Sequence, residues 1–112
     1  MKYLLAILLA TTLLSCYKPG KIEVVNNIDN VEIIDVKWGD VYIVNSLLPG
    51  ESSEKVTVLK SEEKLPSVHS VSFKMSANGR IIFLETKGTY SLDQDETISI
   101  ILDDNTGVKN NN

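Results

Sequence analysis

The sequence predicts an all-β protein, an antiparallel two-sheet sandwich of about seven to eight strands, preceded by a cleaved leader. Three observations carry this. Short β-branched segments recur from Ile22 onward with alternating apolar and polar side chains. Turn residues separate them at short intervals, notably Gly39-Asp40, Pro49-Gly50 and Asn78-Gly79. No run beyond the leader carries a 3.6-residue apolar period.

Ile22-Glu23-Val24-Val25 opens the series, and Asn26-Asn27 with Asp29-Asn30 forms a polar turn. In the next segment Val31 and Ile33 share one parity, whereas Ile34, Val36 and Trp38 share the other. A strand alternates with period two, so the phase change at Ile33/Ile34 predicts a β-bulge or a point buried on both faces. Gly39-Asp40 then reverses the chain into Val41-Tyr42-Ile43-Val44 as a tight hairpin. Pro49-Gly50 suits the central positions of a type II turn, with Leu47 and Leu48 tucked beneath it.

Val56 and Val58 mark a further strand, and Lys60 to Ser67 reads as a solvated loop. Val71, Phe73 and Met75 alternate cleanly with Ser70, Ser72 and Lys74. Asn78-Gly79 feeds Ile81 to Thr86, and Lys87-Gly88 leads into Thr89 to Leu92. Ile98, Ile100 and Leu102 close the series. The expected core is Val36, Trp38, Val71, Phe73, Met75, Ile98, Ile100 and Leu102. The Asn-rich stretch 105–112 is expected to fray.

The first residues have a different logic. Lys2 is the one charged side chain before Lys18, and Tyr3 to Leu14 is apolar apart from Thr11 and Thr12. As a helix this run reaches about 18 Å, short of the roughly 20 residues that cross a bilayer. A basic start, a short apolar stretch and a small terminal residue read as a secretory signal peptide.

The leader ends Leu13-Leu14-Ser15-Cys16, which resembles the lipobox of bacterial lipoproteins. The resemblance implies a diacylglycerol joined to the Cys16 thiol, cleavage between Ser15 and Cys16, and acylation of the new amine. Each buried CH₂ adds about 0.8 kcal/mol of membrane affinity, so two or three chains hold where one does so only marginally. The organisation expected is a signal peptide over 1–15, a lipidated cysteine and tether over 16–21, a domain over 22–104, and the tail. Tyr17 is not the Asp that marks inner-membrane retention in enteric bacteria, so the resemblance implies the outer membrane of the bacterial envelope.

Cys16 is the single cysteine, so no disulfide is available and burial must hold the fold. The chain has 11 Lys+Arg against 15 Asp+Glu, a net charge of −4, and loss of Lys2 makes it one unit more negative. That balance favours neither nucleic acid nor anionic lipid. The segments VKWGDVYIVNSLLPGESSEKVTV and ISIILDDNTGV resemble a loose group of small bacterial lipoproteins with an Ig-like or transthyretin-like sandwich. The resemblance implies a fold and no chemistry.

His69 is the single histidine and shares parity with Val71, Phe73 and Met75, at the rim of the buried face. Neither a second His nor a free Cys accompanies it for a metal site, and no G-x-S-x-G elbow surrounds a serine. Asp93, Asp95 and Glu96 in one turn, and Asp103, Asp104 and Asn105 in another, offer oxygen ligands of the kind Ca²⁺ takes, without EF-hand spacing. Trp38 and Tyr42 flank the Gly39-Asp40 turn as aromatics able to meet a partner. The expectation is therefore a non-enzymatic envelope protein, without catalytic residues or a resident cofactor beyond the lipid on Cys16. It would bind another envelope protein, with Trp38, Tyr42 and His69 as contact candidates and strand addition at an edge as the mode. The alternative is a small-ligand or Ca²⁺-binding module built on the end loops, with Asp93, Asp95 and Glu96 as ligands.

Overall fold

The computed structural model describes residues 17–111, and the leader over 1–15, with Ser15 and Cys16, lies outside the described residues. Ten strands and no helix make up the described chain: β1 Gly20–Asn27, β2 Glu32–Trp38, β3 Val41–Leu47, β4 Val56–Val58, β5 Ser67–His69, β6 Val71–Ala77, β7 Arg80–Thr86, β8 Tyr90–Leu92, β9 Thr97–Asp103 and β10 Val108–Asn110. They form three sheets, ordered β4-β1-β9, β10-β7-β6-β2-β3 and β5-β8.

Turn chemistry sets the hairpins. Trp38 pairs with Val41 across Gly39-Asp40, where Gly39 takes φ +58°. A two-residue loop with its first central residue left-handed matches the right-handed twist of the strands, and glycine reaches that φ freely. Asn78 and Gly79 lie at φ 53° and 74° between paired Ala77 and Arg80, as type I′ demands. At Pro49-Gly50 the Glu51 N–H donates to Leu48 O at 3.0 Å and closes the expected turn. Leu47 beneath it is buried, whereas Leu48 faces solvent. The two leucines are adjacent at the end of a strand, so only one can point inward.

The bulge falls later than the apolar pattern predicts. Register breaks lie between Ile34 and Lys37 against β6 and between Val36 and Lys37 against β3, and Asp35 takes φ 51°. An Asp tolerates the left-handed region where a β-branched Ile does not. The extra residue returns Val36 and Trp38 to the buried side that Ile33 occupies.

Two short strands and one pairing direction depart from expectation. β5 lies at the end of what reads as a loop, because three residues show no alternation. β10 forms where the tail is expected to fray: Val108, Lys109 and Asn110 pair with Thr86, Glu85 and Leu84, and Asn111 N–H donates to Phe83 O at 2.9 Å. The open edge of β7 supplies backbone partners that an Asn-rich segment can use, and Val108 packs against the core beside them. β1 begins at Gly20, inside the expected tether, where a Cβ would come within 2.8 Å of Leu92 Cγ and Asp93 O. β1 and β9 run parallel over seven paired residues, Lys21–Thr97 to Asn27–Asp103, and not antiparallel. Alternation is the same in either direction, so the sequence pattern does not distinguish them.

Both larger sheets contribute to one core. Ile22, Val24, Val58, Ile100 and Leu102 from the three-stranded sheet meet Ile33, Val36, Trp38, Val41, Ile43, Leu47, Val71 and Phe73 from the five-stranded one, closed by Leu65 and Leu92. Of the expected core, Met75 and Ile98 are only half-buried. Asn26 is a fully buried polar residue in this interior: its Nδ2 donates to Val31 O and Leu47 O, and its Oδ1 accepts from Ile28 N–H.

Candidate functional site

The hairpin β2–β3 divides the two aromatics beside its turn. Register pairs Trp38 with Val41 and Lys37 with Tyr42, so successive residues point to opposite faces. Trp38 is fully buried, and its indole N–H donates to Tyr90 O at 2.9 Å. It therefore cannot serve as a partner contact, because its polar atom and its surface are both engaged inside. Tyr42 is 48% exposed on the outer face.

His69 belongs to the interior assembly more than to a surface. Its ring stands against Trp38, with centroids 4.8 Å apart and planes at 85°. Its Nε2 lies 2.8 Å from Glu63 Oε1, which ties the segment before β5 to the sheet. That hydrogen bond, with a second from Ser67 and the histidine's charge, holds the Glu63 carboxyl below the usual range. Of the three contact candidates, only Tyr42 presents a large open surface.

Tyr42 joins a group that sequence reading did not assemble. A groove of about 480 Å³ crosses the outer face of the five-stranded sheet, lined by Asp35, Lys37, Tyr42, Ser72, Lys74 and Phe83 among others. Lys74 sits centrally: it pairs with Ile34 on β2 and Phe83 on β7. Its Nζ is 2.7 Å from Asp35 Oδ2 and 4.8 Å from the Phe83 ring centroid. Asp35 reaches it because the bulge turns that residue out of register. Phe83 is 42% exposed and Ile81 56%, so apolar surface flanks the charged pair. The run Ile81-Ile82-Phe83-Leu84 is apolar at every position, which hides from the sequence which residues face out. The alternation of Lys74 and Ser72 on β6 was the signal for the outer face, once β7 was registered against it.

This face holds a fixed ammonium–carboxylate pair, an exposed lysine and two exposed aromatic rings. Such a surface presents aromatic rings of the kind enriched at binding patches, beside charged and hydrogen-bonding groups of the kind found at their polar rims.

The acidic turns are separate from it and from one another. In 93–96, Glu96 Oε1 accepts from Asp93 N–H at 3.0 Å, Asp93 Oδ1 accepts from Gln94 N–H at 2.7 Å, and Asp95 lies 3.7 Å from Lys18. After β9, Asp103 Oδ1 accepts from Asn105 N–H and Thr106 Oγ1–H. Asp104 accepts from the Asp29 N–H at 3.2 Å. The hydrogen bond between the Asp29 and Asp104 side chains, then the charge of Asp104, push the Asp29 carboxyl up. Among the described residues no three His, Asp or Glu side chains are grouped to hold a metal ion.

Tyr17 is the first described residue after the candidate lipidation position. Its hydroxyl oxygen accepts from Leu65 N–H at 3.2 Å, and Lys60 Nζ lies 5.2 Å from its ring centroid. No protein-family model, curated protein or solved structure matches this chain.

Proposed function

We propose that the chain is a non-enzymatic, lipid-anchored binding module of the bacterial cell envelope, carried on Cys16 in the outer membrane. Its body is a two-sheet sandwich of the Ig-like or transthyretin-like kind, and its partner is another envelope protein. The observation that carries the binding role is the pair of exposed aromatics, Tyr42 and Phe83, on the groove centred on Lys74. Large aromatic rings left half in solvent beside fixed charge are the residues that dominate protein contacts when covered.

The leader ending Leu14-Ser15-Cys16 supports the anchor. Tyr17 supports it too: one residue beyond Cys16 the chain is already bound to Leu65 N–H. An acylated Cys16 would then hold this end of the domain, with Lys60 and Lys64, close to the headgroups. β6 starts at Val71 beside Trp38 and runs away from that end, so the Asn78-Gly79 turn would point away from the membrane.

Expression in a bacterium followed by mass spectrometry of the mature N-terminus tests the anchor. A diacylglyceryl Cys16 is expected, and a bare thiol or a different first residue refutes it. A photo-crosslinker placed at Tyr42 or Phe83 tests the groove against one placed at exposed Leu48. Adducts of one defined mass from the first two positions and none from Leu48 are expected. Equal labelling from all three removes the groove as the contact.

A further inference from the structure

We propose that the free edge of β9 is a strand-addition site for an extended segment with an uncharged centre and basic flanks. This rests on the edge alone, independent of the anchor and of the groove. Among the described residues β9 has one strand neighbour, β1. Lys21 N–H donates to Glu96 O at 2.8 Å, which turns the even-numbered residues of β9 toward β1. The N–H and C=O groups of Thr97, Ser99 and Ile101 are left on the outer side. Asp103 N–H is already taken by Thr106 Oγ1 at 2.9 Å.

Natural edges are blunted by lysine, proline, bulges or short length. β9 has none of these: Thr97-Ile98-Ser99-Ile100-Ile101-Leu102 is uncharged and in unbroken register with β1, and Ile101 is 51% exposed. β10 and β4 are three-residue edges, and at the far end of β3 Leu47 O is covered by Asn26 Nδ2. At the C-terminal end of β9 a cavity of about 220 Å³ opens between Ile28, Phe73, Met75 and Val108, rimmed by Asp103 and Asp104. An added strand alternates its side chains, and one from its inward set fits that cavity.

Charge decides the occupant. Asp93, Asp95 and Glu96 stand at the start of β9, with Lys18 offsetting Asp95, and Asp103 and Asp104 stand at its end. A second copy pairing in either direction would set acidic ends against acidic ends, which is destabilising. A partner strand with Lys or Arg at both ends meets opposite charge at both.

The test uses the full chain in neutral detergent micelles and two peptides, KKTVTVTKK and EETVTVTEE. The basic peptide is expected to bind and to slow hydrogen exchange at the Thr97, Ser99 and Ile101 amides. The acidic one is expected to bind at least about tenfold more weakly, the gap closing with salt. Ile101→Lys should weaken the basic peptide by about tenfold through repulsion while leaving the melting temperature unchanged. Ser99→Pro should abolish binding, since it deletes an outward N–H. Equal binding of the two peptides, protection of these amides without peptide through self-pairing, or undiminished binding by Ile101→Lys would each overturn the proposal.

Discussion

Trp38 and His69 meet as a T, ring centroids 4.8 Å apart, directly beneath the Gly39 turn. A Cβ built on Gly39 would lie 2.6 Å from His69 Cγ. The turn therefore requires glycine twice, for its φ of +58° and for the space His69 takes.

Gly39→Ala is expected to lose about 2–4 kcal/mol, left-handed strain plus overpacking. Gly79→Ala shares the positive φ but meets nothing within 4 Å, so it should lose only about 1–2 kcal/mol. Urea denaturation of both variants checks the difference. Equal losses would mean that His69 moves aside at no cost.

Acid should loosen the Glu63–His69 contact. The folded Glu63 carboxyl sits below its ordinary value because His69, then Ser67, hydrogen-bond it. A depressed folded pKa contributes stability that is present above the unfolded value of about 4.3 and lost as pH falls through the folded one. Glu63→Gln should therefore flatten the stability profile below about pH 4.3. Denaturation midpoints measured across that window decide it.

The opposite sign applies at Asp29. Its hydrogen bond to Asp104 and that residue's charge raise its folded pKa, so the fold favours the protonated form. Repulsion opposes folding at neutral pH and fades on acidification. Asp29→Asn should raise the neutral-pH melting temperature, with the gain gone below about pH 3.9. A gain that persists in acid would point to another cause.

Asn26→Ala should cost about 1–3 kcal/mol, because the buried Leu47 carbonyl and the Ile28 N–H lose their partner. Asn26→Asp at neutral pH should cost more, since a carboxylate cannot donate to Val31 O or Leu47 O. Guanidinium titration of the pair reads the order, and an Asp variant as stable as wild type would refute the hydrogen-bond account.

The two aromatics of the β2–β3 hairpin should behave oppositely. Trp38→Ala removes a buried ring and its hydrogen bond to Tyr90 O, costing about 3–5 kcal/mol. Tyr42→Ala should change stability by no more than about 0.5 kcal/mol while removing the crosslink at the groove. Loss of fold by Tyr42→Ala would place the ring in the structural framework.

The sequence by itself determined the β class, the hairpins at Gly39-Asp40 and Asn78-Gly79, the turn at Pro49-Gly50 and the part of the core made by Val36, Trp38, Val71, Phe73, Ile100 and Leu102. These are local properties: a left-handed φ at a glycine, a ring-locked φ at a proline, a period of two along a strand. His69 and Tyr42 were likewise visible as residue types worth following. Tertiary structure alone decided that β1 and β9 run parallel, that β10 joins β7, that the bulge falls at Asp35, and that Trp38 faces in while Tyr42 faces out. It also brought Asp35, Lys74 and Phe83 into one groove from three strands. Pairing between distant strands is made by backbone groups that every residue carries, so no side-chain pattern in one strand records the neighbour it will choose.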